Sequence, residues 1–168
     1  GDPVDPEKLE AAIKAHPDAK VVAFVHAETS TGVRSDAETL CRLAKSADML
    51  VIMDAVTSLA GIDLKADAWG ADVVYSGTQK CLSGLPGISP ITFSDDAVSA
   101  IQARTQKVQS WFLDMNLIMG YWGEGAKRAY HHTAPVNAIY GLHEALLMLE
   151  EESLEASIAR HQDNHVTL

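Results

Sequence analysis

Two stretches decide the fold: Leu50-Val51-Ile52-Met53-Asp54, and about one strand-helix-strand unit downstream Val73-Val74-Tyr75-Ser76-Gly77-Thr78-Gln79-Lys80. Each opens with a short apolar run that reads as a buried strand, and each run leads into a charged side chain. Near-continuous apolar runs of this kind belong to sheets covered on both faces, which are characteristically parallel. An aspartate closing one strand and a lysine just beyond its neighbour can then converge on one side of the sheet.

Working outward, Val21-Val22-Ala23-Phe24-Val25 reads as another strand, apolar on both faces, running into the hydroxyl-rich loop His26-Ala27-Glu28-Thr29-Ser30-Thr31-Gly32. Before it, Asp5-Pro6-Glu7 is a helix start, with an aspartate cap, proline at the first helical position and an acid at the positive end of the dipole. Ser35 or Asp36 caps the next helix, whose face includes Leu40, Leu43 and Ala44. Leu59 to Trp69 is a connection, and Gly84-Leu85-Pro86-Gly87 a turn. Ile88 to Phe93 reads as a strand that Pro90 consigns to an edge or antiparallel position. Ser94-Asp95-Asp96 starts a helix through about Lys107, and Asn137 to Glu152 forms another with Leu142, Ala145, Leu146 and Leu149 on one side. The stretch from Trp111 to Thr133 matches no simple pattern. Strands alternating with helices predict an α/β fold, a mainly parallel sheet with helices on both faces. Ligands of such sheets bind beyond the carboxyl ends of the strands, where the Thr29 loop, Asp54 and Lys80 all fall.

The totals are those of a globular chain: 168 residues, 47% hydrophobic and 21% charged. A net charge of −10 argues against nucleic acid or an anionic membrane as a partner. No apolar run approaches the ~20 residues that span a bilayer. The two cysteines, Cys41 and Cys81, make no disulfide framework and fit a reducing cytoplasmic setting. The chain begins at Gly1-Asp2-Pro3 and stops just after a helical pattern, so the expectation is a part of a longer protein.

The chemistry that suits a convergent lysine and aspartate is that of pyridoxal phosphate. A lysine amine forms a Schiff base with its aldehyde, and a carboxylate pairs with its protonated ring nitrogen so that the ring can accept electrons. Each residue has a plainer reading. Lys80 can be a solvated turn residue, although the glycines around it let backbone approach a ligand closely. Asp54 can cap the following turn, bind a metal or accept a phosphoryl group. Thr29 and its neighbours can form a capped turn before a helix, and Gln79 can be a turn residue or a phosphate donor. Tyr130-His131-His132-Thr133 invites a metal reading, but adjacent histidines on extended backbone point opposite ways and no third ligand is visible, so no metal is expected.

Four ordered motifs resemble the class V, fold-type I pyridoxal-phosphate-dependent aminotransferases, most closely the alanine–glyoxylate/serine–pyruvate branch. They are His26-Ala27-Glu28-Thr29-Ser30-Thr31-Gly32-Val33, Asp54-Ala55-Val56-Thr57-Ser58, Tyr75-Ser76-Gly77-Thr78-Gln79-Lys80 and Tyr130-His131-His132-Thr133-Ala134-Pro135. The resemblance implies that Lys80 is the Schiff-base lysine and the acid/base of the proton transfer. It implies that Asp54 pairs with the pyridine nitrogen, Val56 packs on a ring face, Thr29 lies near the ring hydroxyl and Asp54, and Gln79 binds the phosphate. Tyr130 and Thr133 would reach the phosphate of a neighbouring subunit, giving a homodimer with composite active sites.

By the same resemblance, residues 1–168 are the central and later part of the large cofactor-binding domain. The upstream phosphate-binding turn and stacking aromatic are absent, as is the downstream small domain with its substrate-carboxylate arginine. Arg34, Arg42, Arg104, Arg128 and Arg160 do not match that arginine's place. The implied reaction is transamination between a small amino acid, alanine or serine, and a small 2-oxo acid, glyoxylate or pyruvate, with little or no activity expected of the 168-residue piece alone. The alternatives are a lyase of the cysteine desulfurase type, which commonly carries histidine where this chain has Gln79, and a non-catalytic flavodoxin-like regulatory domain.

Overall fold

A computed structural model describes residues 1–122 and 129–168. In chain order the elements are α1 (Pro6–Ala15), β1 (Val21–Val25), β2 (Ala27–Glu28), β3 (Val33–Arg34), α2 (Ala37–Ser46), β4 (Leu50–Asp54) and α3 (Ala66–Trp69). They continue with β5 (Val73–Tyr75), β6 (Ile91–Phe93), α4 (Asp95–Gln102), α5 (Met115–Trp122), α6 (Val136–Glu152) and α7 (Leu154–Thr167). The main sheet runs β1-β4-β5-β6, parallel throughout except for β6, and β2-β3 form a small hairpin. The α/β fold with a mainly parallel sheet is as expected, and so is the antiparallel edge strand after Pro90.

Alternation along β4 sorts its side chains. Val51 and Met53 are fully buried against Ala37, Cys41 and Ala44 of α2, with Val74 of β5 completing the core. Leu50, Ile52 and Asp54 point to the other face and are half-buried. At the start of these strands Asp72 is a buried clamp. Its carboxylate accepts from Val51 N (2.8 Å), Ser94 Oγ (2.8 Å) and Lys45 Nζ (3.1 Å).

Local signals hold at the helix starts. Asp5 caps α1 through Glu7 N (2.9 Å), and Asp36, rather than Ser35, caps α2 through Thr39 N (3.2 Å). Ser35 Oγ instead accepts from Val4 N (3.2 Å). Other expectations are corrected. β1 is not covered on both faces: Val22 and Phe24 pack on the core, whereas Val21 on the opposite face is 45% exposed, and the strand also lies at the edge of the sheet. The strand predicted over 88–93 is ordered as ladder only from Ile91, because antiparallel pairing begins at the Tyr75–Ile91 pair. The helix after Ser94 ends at Gln102, five residues early, where Asn116 Nδ2 donates to Ile101 O (3.2 Å) and ties its end to α5. By contrast, the helix expected over 137–152 is borne out as α6, and a further helix follows it: Ser153, at φ 71°, ends α6 and caps α7 through Ala156 N (3.2 Å).

Candidate functional site

Parallel register brings the strand ends level. Val25 pairs with Asp54 and Asp54 with Tyr75, so the loops after β1, β4 and β5 leave the sheet side by side. Those loops are then laced together. His26 N donates to Asp54 O (2.9 Å), Ala55 N to Tyr75 O (2.8 Å), and Ser76 Oγ to Ala55 O (3.0 Å). Thr57 Oγ1 donates to Ala27 O, and the Cys81 thiol to Thr57 O (3.4 Å). Backbone polar groups that would be orphaned beyond the sheet are thereby paired.

The Asp54 carboxylate sits half-buried in this lattice. Oδ1 accepts from Val56 N (2.9 Å), an Asx turn, and Oδ2 from the Tyr75 hydroxyl (2.6 Å). Among the described residues no cation pairs with it. The phenol beside the carboxylate has its pKa raised, chiefly by its hydrogen bond to Asp54 and then by burial. Lys80, also half-buried, lies in a turn folded tightly on itself: Ser83 N donates to Lys80 O (2.9 Å) and Gly84 N to Thr78 O (2.8 Å), with Thr78 Oγ1 bonded to Leu85 O. A Cβ on Gly84 would lie 3.2 Å from Thr78 O, so glycine allows this close return. The Lys80 ammonium has no hydrogen-bond or ion-pair partner among the described residues.

The remaining predicted residues are placed unevenly. Val56 is half-buried two residues after Asp54, whereas Thr29 and Gln79 are exposed on their loops. Tyr130 and Thr133 are exposed and bonded to each other through their hydroxyls (2.8 Å), with no hydrogen bond to the Asp54–Lys80 end among the described residues. Of the arginines weighed as substrate ligands, Arg128 lies outside the described residues. An open cavity of about 720 Å³ borders the site without containing Asp54 or Lys80; it runs from Thr29 and Thr57 to His161 and His165 of α7.

Six further residues are placed only by the three-dimensional structure. His26 belongs to the core: it is 2% exposed, edge-on to Trp69 at 5.5 Å, and its Nδ1 has no partner among the described residues. Burial, and then the Arg34 charge, hold its pKa below the usual histidine value. His131 and His132 do not point apart; their Nδ1 atoms are 2.7 Å apart, because His131 turns inward to stack on Trp111 (4.0 Å) and reach Trp111 O (3.0 Å). Burial pushes the Cys41 thiol up to about 11 and raises that of Cys81, so position beside Lys80 does not activate the latter. Tyr75 escaped sequence reasoning as a site residue. The sequence offered only its place as the last residue of an apolar strand, as Asp54 is of its own.

Residues 2–168 match the family Aminotransferase class-V. The chain belongs to the class-V aminotransferases. It is 40% identical over 159 residues to the alanine–glyoxylate aminotransferase of Oryctolagus cuniculus, a match spanning 94% of this chain and 40% of the relative. Among solved structures it is similar to the alanine–glyoxylate aminotransferase of Nostoc sp. (43% identity, TM-score 0.92, 99% of this chain and 43% of that one). It is also similar to the ureidoglycine–glyoxylate aminotransferase of Bacillus subtilis (37% identity, TM-score 0.87, 94% of this chain and 40% of that one). The class-V chain thus spans about 40% of the length of the relatives it matches, and its fold is that of fold-type I aminotransferases.

Proposed function

We propose that this chain is the central and later part of the cofactor-binding domain of a pyridoxal-phosphate-dependent aminotransferase, exchanging an amino group between alanine or serine and glyoxylate or pyruvate. The observation that carries the reading is the Asp54–Lys80 arrangement. A carboxylate held by two neutral donors, with no cation of its own among the described residues, stands at the end of β4, and a lysine without a partner among the described residues lies in the adjacent loop after β5, hydrogen-bonded to the loop after β4. That donor set fits the cofactor: an anionic acceptor for a protonated ring nitrogen and an uncommitted amine for an aldehyde. When bound, pyridoxal phosphate supplies the aldehyde and an electron-accepting ring.

The chain's own residues then divide the work. Asp54 holds a proton on the ring nitrogen, and Val56, emerging half-buried from the same turn, offers an apolar surface to a ring face. Lys80 would anchor the cofactor through its amine and would serve as the acid and base of the proton transfer. Thr29 and Gln79, exposed at the rim, would hold the ring hydroxyl and the phosphate. Tyr130 and Thr133 present a bonded pair of hydroxyls outward, suited to the phosphate of a second subunit in a homodimer. No helix among the described residues is long and apolar enough to cross a membrane. The free thiols of Cys41 and Cys81 favour a cytoplasmic setting.

Borohydride reduction of the full-length protein with pyridoxal phosphate, followed by peptide mapping, tests this directly. A phosphopyridoxyl adduct on Lys80 is expected. Lys80→Ala should lose the adduct and about 10²–10⁴-fold or more in turnover, the scale of acid–base catalysis alone. Attachment elsewhere, or none, overturns the reading.

A further inference from the structure

We infer that Tyr75 is a positioning residue for the cofactor's ring nitrogen, acting through Asp54. The inference rests on the function proposed above and adds to it a residue with no assigned role. Asp54 and Tyr75 are register partners on adjacent parallel strands, so their side chains leave the same face of the sheet next to each other. The phenol hydroxyl donates to Oδ2 at 2.6 Å while Val56 N donates to Oδ1 at 2.9 Å. Two donors on two different oxygens fix the plane of the carboxylate, and each oxygen keeps a lone pair for a further partner.

The backbone beneath is equally constrained. Asp54 O accepts from His26 N (2.9 Å) and Tyr75 O from Ala55 N (2.8 Å), so neither partner moves without disturbing a neighbouring loop. The chemistry of the donor matters as much as its place. An arginine or lysine in that position would neutralise the carboxylate that the ring nitrogen needs. Tyrosine orients it and leaves the negative charge in place. With its pKa raised by that same hydrogen bond, the phenol stays a protonated donor through the physiological range.

The test compares wild-type full-length holoprotein with Tyr75→Phe, which keeps the ring and its packing. Bound pyridoxal phosphate labelled with ¹⁵N at the ring nitrogen gives the deciding readout, with cofactor retention measured alongside. A displaced ring-nitrogen resonance is expected in Tyr75→Phe, together with retention weakened about ten- to a hundredfold, as for loss of a hydrogen bond to a charged group. An unchanged resonance overturns the inference, whether retention is unchanged or merely reduced, because a purely structural tyrosine would give that result. Should the phenylalanine variant fail to fold by circular dichroism, 3-fluorotyrosine at position 75 replaces it. That residue keeps the shape and strengthens the donor, and the resonance must again move. If wild-type protein carries no adduct at Lys80, the proposed function itself has failed. An adduct at Lys80 with an unmoved resonance removes only the role of Tyr75.

Discussion

His26 shows at single-residue scale how burial turns a loop residue into a pH-sensitive element of stability. Its neutral form is favoured in the folded protein, by desolvation first and Arg34 second. The folded pKa therefore lies below the unfolded value of 6.5, and below that pH the unfolded chain binds the extra proton more readily. Stability from this group is fully present above 6.5 and lost as pH falls, with a slope of at most about 1.4 kcal/mol per pH unit. Urea midpoints at several pH values between 7 and 5 should fall less steeply for His26→Phe than for wild type. Parallel slopes would remove the assignment. Lys80 and Tyr75 belong to the same scale, since the peptide map and the ring-nitrogen resonance each report on one side chain.

At the scale of elements, the starts of the strands are organised by Asp72 and the ends by Asp54, both aspartates but in opposite roles. Asp72 is fully committed: Lys45 of α2, Val51 of β4 and Ser94 before α4 all donate to it, and its side chain is 3% exposed. Asp72→Ala leaves the buried Val51 N–H without its acceptor and Lys45 with only the exposed Asp96, and should destabilise by about 1–3 kcal/mol, with Asp72→Asn costing less. Chemical unfolding measures both, and a loss below about 1 kcal/mol for the alanine variant would contradict the clamp. Asp54, by contrast, keeps acceptor capacity in hand, which is what separates a candidate ligand from a structural anchor. Ser153 makes another element-scale point. One residue at positive φ separates α6 from α7, and Ser157 Oγ of α7 donates to Ala60 O (2.8 Å).

At the scale of the whole molecule, the face carrying Trp111, Leu113, Trp122 and Tyr130 stands out. Leu113 is 66% and Trp122 64% exposed, and Tyr121 packs edge-on to both Trp122 and Tyr130, which makes this a partly aromatic surface. It adjoins the outward hydroxyls of Tyr130 and Thr133, as a composite site between two subunits would require. Full-length protein is therefore expected to sediment as a dimer, and Leu113→Glu to weaken association at least about tenfold, since buried apolar anchors dominate interfaces. A monomer at micromolar concentration would exclude the composite site.

Local chemistry alone made much of this legible. Apolar runs, proline and aspartate caps and the residues following each strand pointed to a parallel α/β sheet with Asp54 and Lys80 at one end, because these depend on period and nearest neighbours. What required the tertiary structure were relations between segments far apart in the chain. Edge exposure of β1 depends on which strand lies beside it, the burial of His26 on Trp69, and the inward turn of His131 on Trp111. The Tyr75–Asp54 bond depends on register, a property of two strands together. A sequence read one segment at a time carries the side chains but not their alignment, and the alignment turned an ordinary strand tyrosine into the partner of the carboxylate.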